Sequence, residues 1–259
     1  MEAGNRCFDL NVPEEINRRI IDHISDFNLV YTEHARRHLL SEGLSHRRIY
    51  LTGSPMKEVL LTHMEKIQAS KILEQIGLKK NGYFIASIHR EENVDNKENL
   101  GLLLHSLNLV CEEYGLPVIV STHPRTKKRL EALYEKKLHS NMQFLKPFGF
   151  FDYNHLQMNA FCAISDSGTI SEESSILSFP AITVRNAIER PEALDSGNII
   201  LTGLNPDTIV QAIKVVIEEK ELQSEHPIPM EYDIENVSQR VVKLIIGTAK
   251  LSNRWDGIS

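Results

Sequence analysis

Eight short apolar runs alternate with segments of helical periodicity, and this alternation constrains the fold more than any other feature of the sequence. Each run is rich in β-branched residues and ends in polar or turn-forming residues. The runs are Phe27–Thr32, Arg48–Thr52, Tyr83–Ile88, Pro117–Thr122, Met142–Leu145, Ala160–Ile164, Pro180–Arg185 and Asn198–Thr202. Strands that are buried on both faces and alternate with helices are typical of a parallel sheet built from βαβ units.

The helical segments and the chain length indicate the domain organisation. Apolar residues spaced i, i+3, i+4 and i+7 predict helices around Leu100–Cys111 and Ile209–Val216. The 259 residues correspond to about 1.7 average domains. We therefore predict an α/β protein in which residues 51–230 form one complete Rossmann-like, parallel-sheet domain. Residues 1–50 hold only the C-terminal part of a second such domain, and residues 231–259 form a C-terminal helix that packs back toward it.

Composition excludes several classes of protein. Hydrophobic residues make up 41% of the chain and charged residues 25%, as in ordinary globular domains. No apolar run approaches the roughly 20 residues of a membrane-spanning helix, and the first residues lack the pattern of a secretory signal. A net charge of −6 argues against nucleic acid as a partner. The three cysteines form no CxxC pair, so we expect reduced thiols and a cytoplasmic protein.

Several motifs with well-understood chemistry are absent from the sequence. It contains neither GxGxxG nor GxxxxGK[ST], which removes support for nicotinamide and P-loop nucleotide sites. It also contains neither HExxH nor GxSxG, so zinc-peptidase and α/β-hydrolase chemistry are unsupported. The function has to be sought in other polar clusters.

Two such clusters follow predicted strands, at the edge where parallel sheets bind ligands. In HREEN at 89–93, His89 could act as a general acid or base or contact an anion; the alternative is a charged loop that opens a helix. In the second cluster, at 165–173, Gly168 would let a ligand approach the backbone. The helix start beside it would attract a phosphate, and Glu173 could accept hydrogen bonds from sugar hydroxyls. The alternative there is a plain capping box.

Three further clusters are less specific. Two arginines within residues 185–192 could hold a diphosphate or form internal ion pairs. His123 also follows a predicted strand and could contact a ligand or cap the next helix. The chain start is dense in charge: a helix start accounts for Glu14, whereas Glu2 and Arg6 have no such explanation.

Taken together, these clusters resemble those of one family, the non-hydrolysing UDP-N-acetylglucosamine 2-epimerases. The matching strings follow the family's order through essentially the whole chain. They are EAGNR at 2–6, PEEINRR at 13–19, TGSP at 52–55, HREEN at 89–93, SDSGTISEES at 165–174 and ERPEALDSG at 189–197. Each string is modest alone, whereas the ordered set is specific. The resemblance implies the GT-B architecture of two Rossmann-like domains, with UDP bound to the C-terminal one.

The resemblance also implies functional residues, each by its position in a matching motif. Glu2 and Glu14 match the family's catalytic carboxylates, and His89 matches its active-site histidine. His123 matches a position that is linked, in some members, to a second UDP-sugar that activates the enzyme. Tyr153 falls where the family places an aromatic ring against uracil. The residues assigned to UDP binding are Arg18, Tyr153, Ser167, Gly168, Glu173 and Arg185.

The implied reaction is epimerisation at C2 of a UDP-N-acetylamino sugar for surface polysaccharide precursors. UDP is eliminated across C1–C2 and then added back. The resemblance implies no metal and no redox cofactor, a UDP-sugar substrate, and a homodimer of the full-length protein. Two alternatives remain open: a GT-B glycosyltransferase, which EAGNR and PEEINRR disfavour, and a non-catalytic fragment that binds UDP.

The sequence departs from the family pattern in two respects. Thr169 follows Gly168 where the family commonly has a second glycine. The residues of the strings SDSGTISEES, MEAGNRCFD and PEEIN resemble more closely the sub-branch that converts UDP-2-acetamido-2,6-dideoxy-L-talose toward UDP-N-acetyl-L-fucosamine. In addition, the family's first domain begins well before the position that matches Met1, and another catalytic aspartate lies in that part. We therefore expect an N-terminally truncated chain.

Overall fold

Every predicted strand run contains a strand in the computed structural model of the protein. The structure describes residues 1–10, 12–122, 127, 138–223, 226–255 and 257. The strands are β1 (Asn28–Val30), β2 (Ile49–Leu51), β3 (Phe84–Ser87), β4 (Val118–Ser121), β5 (Met142–Leu145), β6 (Cys162–Ser165), β7 (Ala181–Thr183) and β8 (Ile200–Leu201). Each lies within its predicted run, except that β6 extends one residue further. The predicted α/β class is confirmed.

Helices separate most of these strands. They are α1 (Pro13–Ile24), α2 (Glu33–Ser41), α3 (Met56–Gln68), α4 (Ile72–Gln75), α5 (Glu91–Val94), α6 (Lys97–Tyr114), α7 (Phe150–Asn159), α8 (Ile170–Leu177), α9 (Pro191–Asp195), α10 (Pro206–Glu221), α11 (Val237–Thr248) and α12 (Ser252–Trp255), with a 3-10 turn at His46–Arg48. Among the described residues, no helix combines the length and the apolar character needed to cross a membrane.

The chain divides into two compact units, which are described one at a time. Unit 1 comprises residues 1–62, 189–192 and 228–259, and unit 2 comprises residues 63–188 and 193–227. These units are defined by spatial proximity within the chain. The domain limits that the sequence suggests, at residues 50 and 230, stay a prediction.

Unit 2 contains a six-stranded parallel sheet in the order β5-β4-β3-β6-β7-β8. The chain first builds outward from β3 to β4 and β5, and then crosses to the other side of β3 to add β6, β7 and β8. The strand order therefore reverses between β3 and β6. In open α/β sheets such a switch point leaves a crevice at the carboxyl ends of the two strands, where ligands bind.

Helix α6 shows how the local sequence builds this unit. The Asn96 side chain accepts hydrogen bonds from the backbone N–H groups of Glu98 and Asn99, which caps the first turn. Gly115 ends the helix in the left-handed region, with φ +64°. Between the caps, one face packs into the core with the strands and α10. Its buried residues are Leu100, Leu103, Leu104, Leu107, Val110 and Cys111.

Unit 1 is built around two parallel strands, β1 and β2, with α2 packed on them. Its small core contains Val30, Leu39 and Ile49, all at most 4% exposed. The C-terminal segment joins this unit through the TGSP string, because the backbone N–H of Ser54 donates to the carbonyl oxygen of Glu231 over 2.9 Å. Gly53 adopts φ +86° beside it, where a side chain would strike Ile234. TGSP therefore has a structural role in unit 1.

Replacing Leu107 by alanine should lower the free energy of unfolding by about 3 kcal/mol, because the side chain is 1% exposed and its loss leaves a cavity in the core. Leu102 lies on the same helix and is 37% exposed, so Leu102→Ala serves as the matched control and should cost less than about 1 kcal/mol. Urea unfolding followed by circular dichroism measures both variants. Equal losses in the free energy of unfolding would show that Leu107 stabilises the core no more than the exposed Leu102 does.

Candidate functional site

The carboxyl ends of the central strands of unit 2 form a row of hydroxyl-bearing residues. Ser87 at the end of β3 pairs in register with Ser121 of β4 and Ser165 of β6, and Ser165 pairs with Thr183 of β7. The loops that follow β3 and β6 begin at this row. They carry the HREEN and SDSG strings, so the two strongest clusters of the sequence lie together at the switch point.

Asp166 connects these two loops. Its side chain is 0% exposed, and its carboxylate accepts hydrogen bonds from the backbone N–H groups of His89 at 3.1 Å and Arg90 at 3.0 Å. The same carboxylate accepts from Nδ2 of Asn93 at 3.1 Å. A buried carboxylate with this many donors is stabilised in its charged form, and the pKa of Asp166 is accordingly lowered against the effect of burial.

His89 lies against this carboxylate. Its Nδ1 nitrogen is 3.0 Å from Oδ1 of Asp166, and its side chain is 54% exposed. The hydrogen bond to Asp166 raises the pKa of His89, partial burial opposes that rise, and the positive charge of Arg90 opposes it further. The ring is therefore biased toward the protonated form, with one edge on Asp166 and the other edge free to meet a ligand.

The SDSG turn leads from Asp166 into α8. The Ser165 side chain accepts a hydrogen bond from the backbone N–H of Ser167 over 3.0 Å, and the Ser167 hydroxyl lies 3.0 Å from that of Thr169. Thr169 has φ −76°, a conformation open to any residue, so the expected second glycine is not required here. Contrary to the capping-box alternative, no side chain caps α8. The N–H of Glu172 donates to the carbonyl oxygen of Thr169, which leaves the N–H groups of Ile170 and Ser171 available to an anion.

Glu173 and Tyr153 lie beside the same strand ends. Glu173 is 8% exposed, and its carboxylate accepts a hydrogen bond from Nε2 of Gln157 over 2.9 Å. The Tyr153 hydroxyl hydrogen-bonds with the side chains of Ser87 and Ser165, while burial, followed by the charge of Glu173, raises the Tyr153 pKa. The aromatic ring and the acid that the resemblance assigns to UDP thus occupy one site in unit 2.

Three other predicted residues have different outcomes. Arg185 is 3% exposed and follows β7 by two residues, so it also belongs to the carboxyl side of the sheet. His123 lies outside the described residues. Gly168 lies within the turn between β6 and α8.

Unit 1 gathers the residues predicted at the chain start around the ERPE segment at 189–192. Oε1 of Glu2 accepts hydrogen bonds from Nη2 of Arg190 at 3.1 Å and from Nδ2 of Asn5 at 3.3 Å. Glu2 is also one of the few non-glycine residues with positive φ, at +61°. Such a backbone conformation costs energy and is enriched at functional sites. Arg18 donates from Nη1 to Oε1 of Glu189 over 3.2 Å.

The structure separates two adjacent glutamates that look alike in sequence. Glu15 is 0% exposed, and its carboxylate accepts hydrogen bonds from the backbone N–H of Cys7 and from the guanidinium of Arg19. Burial opposes ionisation of Glu15, but these hydrogen bonds leave its pKa lowered. Glu14 is exposed on the same helix turn. Glu15 therefore has a structural role, which leaves Glu14 as the predicted catalytic carboxylate of the pair.

Three contacts of these sites were not predicted from the sequence. Asp166 follows a buried strand directly, but in the sequence it looks like a helix cap. Arg190 lies in the matching string ERPE, and only the structure pairs it with Glu2. Gln157 gives no sequence signal, because its contact with Glu173 spans two helices.

The fold and the strand-end site place the chain among α/β proteins of the GT-B type. A family model described as UDP-N-acetylglucosamine 2-epimerase matches residues 1–246. The chain therefore belongs to the UDP-N-acetylglucosamine 2-epimerase family, and the resemblance carried by the ordered motif strings is confirmed.

Solved structures agree with this assignment. The structure of UDP-N-acetylglucosamine 2-epimerase from Rickettsia bellii matches with a TM-score of 0.92 and 47% identity, over 98% of this chain and 68% of that chain. The Methanocaldococcus jannaschii UDP-GlcNAc 2-epimerase, solved in complex with UDP-GlcNAc and UDP, matches with a TM-score of 0.87 and 33% identity, over 95% of this chain and 68% of that chain. Both cover nearly all of the present chain.

The curated M. jannaschii UDP-N-acetylglucosamine 2-epimerase is 37% identical over 226 residues, which are 85% of this chain and 62% of that protein. The chain thus spans less than two thirds of the length of this relative.

Proposed function

We propose that the protein catalyses epimerisation at C2 of a UDP-N-acetylamino sugar. The observation that carries the proposal is the strand-end constellation of unit 2, in which the His89–Asp166 pair and the uncapped start of α8 meet at the switch point of the sheet. Membership of the epimerase family supports it. So does the relative that was solved with UDP-GlcNAc and UDP bound.

The chemistry requires more than one type of residue. The C2 proton of the sugar is not next to a carbonyl, so its simple removal would leave an unstabilised carbanion. In the proposed elimination, a base takes the C2 proton and the C–H electron pair forms a C1=C2 double bond. The C1–O bond breaks, and UDP leaves with that electron pair. Re-addition of UDP to C1, with protonation of C2 on the opposite face, gives the epimer.

We assign the leaving group to unit 2. The free N–H groups at the start of α8, with Ser167 and Gly168 in the turn, would bind the diphosphate and stabilise the charge that develops on it. His89 in its protonated form, and Arg185, would add positive charge there. Glu173 would accept hydrogen bonds from the ribose hydroxyls, and Tyr153 would contact the uracil ring.

We assign proton transfer to the carboxylates of unit 1. Oε2 of Glu2 has no hydrogen-bond partner among the described residues, whereas Oε1 is held by Arg190 and Asn5. A carboxylate oriented through one oxygen can exchange a proton through the other. Glu14 is the second candidate for this role, and Arg18 would add a cationic contact with the substrate.

Incubation with UDP-N-acetylglucosamine in D2O tests the proposal directly. We expect one deuterium at C2, seen by NMR and as a mass increase, together with formation of the C2 epimer. Binding of UDP without deuterium uptake, from UDP-N-acetylglucosamine and from the UDP-linked 6-deoxy-L-talose derivative alike, would identify a non-catalytic UDP-binding chain. Transfer of the sugar to an acceptor without inversion at C2 would identify a glycosyltransferase.

Replacing Glu173 by alanine should weaken UDP binding about 10- to 100-fold, because a carboxylate that accepts hydrogen bonds from hydroxyls contributes about 1.5–3 kcal/mol. Isothermal titration calorimetry with UDP measures the change. Glu218, an exposed residue of α10, provides the matched control, and Glu218→Ala should bind UDP like the wild type. Unchanged affinity of the Glu173 variant would remove this residue from the site.

We also propose a cytoplasmic location and a homodimer of the full-length protein. The three cysteines are buried free thiols, which suits a reducing compartment. For the sugar, the motif wording favours the 6-deoxy-L-talose derivative over UDP-N-acetylglucosamine. Parallel D2O assays with the two substrates discriminate between them.

A further inference from the structure

The Asp166–His89 pair has a property that the proposed reaction does not by itself require. Asp166 is fully buried at the end of β6, and its carboxylate meets Nδ1 of His89 at 3.0 Å. Nε2 of His89 has no hydrogen-bond partner among the described residues. The histidine, with its side chain 54% exposed, therefore has one ring nitrogen bound to Asp166 and one that is unbound in the part of the chain that the structure describes.

We propose that Asp166 is a positioning residue, which fixes the His89 ring through Nδ1 and thereby presents Nε2 at the carboxyl end of the sheet. The carboxylate acts on both the backbone and the side chain of His89, since it also accepts from the backbone N–H groups of His89 and Arg90. Because one carboxylate holds both the backbone and the Nδ1 nitrogen of His89, the ring keeps one orientation. Carboxylate–imidazole pairs of this kind set the tautomer and raise the basicity of the second nitrogen.

The charges around His89 come from two elements. Asp166, at the end of β6, favours the protonated ring; on the ring's own loop, Glu92 also favours it and Arg90 opposes it. Arg90 is itself directed toward the same loop, because its Nε donates to the backbone oxygen of Asp166 at 3.3 Å. Asp166 is thus the largest favourable influence and the one in direct contact with the imidazole.

The geometry has a definite consequence for the proton on the ring. An ionised carboxylate can only accept, so Nδ1 must carry a proton in both protonation states. The neutral ring then has its lone pair on Nε2, and the charged ring donates from Nε2. In the proposed function, on which this part of the inference rests, the charged ring would donate that hydrogen bond to the departing diphosphate.

The tautomer is measured on the wild-type protein by 15N-edited NMR of the His89 ring, above its pKa, with the His89→Gln variant used to assign the signal. We expect the Nδ1–H tautomer. The Nε2–H tautomer would overturn the proposal, and this measurement needs neither catalysis nor a variant of Asp166.

Two variants separate positioning from general loop stability. Asp166→Asn keeps an oxygen acceptor but removes the charge, so the pKa of His89 should fall below the wild-type value. Asn93→Ala removes another hydrogen bond of the same carboxylate, from Nδ2, while it leaves the Asp166–His89 pair in place, so the pKa should stay raised. An unchanged His89 pKa in Asp166→Asn, or equal falls in both variants, would contradict the positioning role.

The reaction provides an independent readout. In the C2 deuterium assay, Asp166→Asn should lower kcat at least tenfold and shift its pH profile toward lower pH, because His89 then loses its proton at a lower pH. If the wild type takes up no deuterium, the proposed function fails, whereas the NMR result still decides the role of Asp166.

Discussion

Glu2→Gln should lower the rate of deuterium uptake at C2 by about 100- to 10,000-fold, the range expected when a general acid or base is removed. Glutamine has the same shape, and its oxygen can still accept from Arg190 and Asn5, so the local structure should persist. Only the ability to take up and release a proton disappears. UDP affinity should remain close to that of the wild type, because the residues assigned to UDP, apart from Arg18, lie in unit 2. The measurements are NMR of C2 deuteration and calorimetry with UDP.

A matched control comes from the same unit. Glu33 is a partly exposed glutamate that also pairs with an arginine, Arg36, at 3.2 Å, and Glu33→Gln should exchange at the wild-type rate. Glu14→Gln should also slow the reaction if it is the second carboxylate. If the Glu2→Gln variant takes up deuterium at the wild-type rate, Glu2 is excluded as the acid or base. The positive φ of Glu2 then has no functional explanation.

The strands could be predicted because a strand covered on both faces is apolar along its whole length. Every predicted run contains one, and the α6 stripe of Leu100 and Leu107 is buried as its spacing indicates. The order of strands in the sheet could not be read from the sequence. Whether β6 pairs with β3 or with β5 depends on contacts between distant residues, and that choice creates the switch point.

Without the family resemblance, the site could be predicted only at the level of clusters. HREEN and SDSG were recognisable because each follows a strand, but the contact that joins them is a single buried carboxylate. Asp166 in sequence is indistinguishable from a residue that starts a helix. Likewise, Glu14 and Glu15 differ only in which side of α1 they occupy, and a helix start accounts for either of them.

The EAGNR string shows how one motif can combine different requirements. Gly4 has φ +79°, and a Cβ there would overlap the carbonyl oxygen of Ala35. The side chain of Arg6 is 0% exposed. Its guanidinium donates to Asp22 at 2.8 Å and to both oxygens of Glu42 at 2.8 and 2.9 Å. Glu2 contacts the ERPE segment through Arg190, and Gly4 and Arg6 hold the backbone that carries it.

Arg6→Ala should therefore destabilise unit 1 by about 3–5 kcal/mol, the cost of breaking a buried ion pair and leaving its partner charges uncompensated. Burial disfavours the charged guanidinium, yet hydrogen bonds with Glu42 and Asp22 leave the pKa of Arg6 raised, and Arg6 in turn lowers the pKa of Glu42. Arg6→Lys keeps the charge but cannot form the same forked contacts, so it should lie between the wild type and the alanine variant. Thermal and urea unfolding followed by circular dichroism measure the three proteins.

Arg37 is an exposed arginine of the same unit and provides the control for Arg6→Ala. Its side chain is 72% exposed and lies 3.8 Å from Glu33, so Arg37→Ala should change stability by less than about 0.5 kcal/mol. If Arg6→Ala were equally mild, the network around Asp22 and Glu42 would not be what holds the segment that carries Glu2. If Arg6→Ala is severe while Glu2→Gln leaves stability unchanged, neighbouring residues of one motif divide between folding and chemistry. Substitution of a residue needed for folding, such as Arg6, would then lower both deuterium exchange and stability. Substitution of a residue needed for chemistry, such as Glu2, would lower deuterium exchange alone.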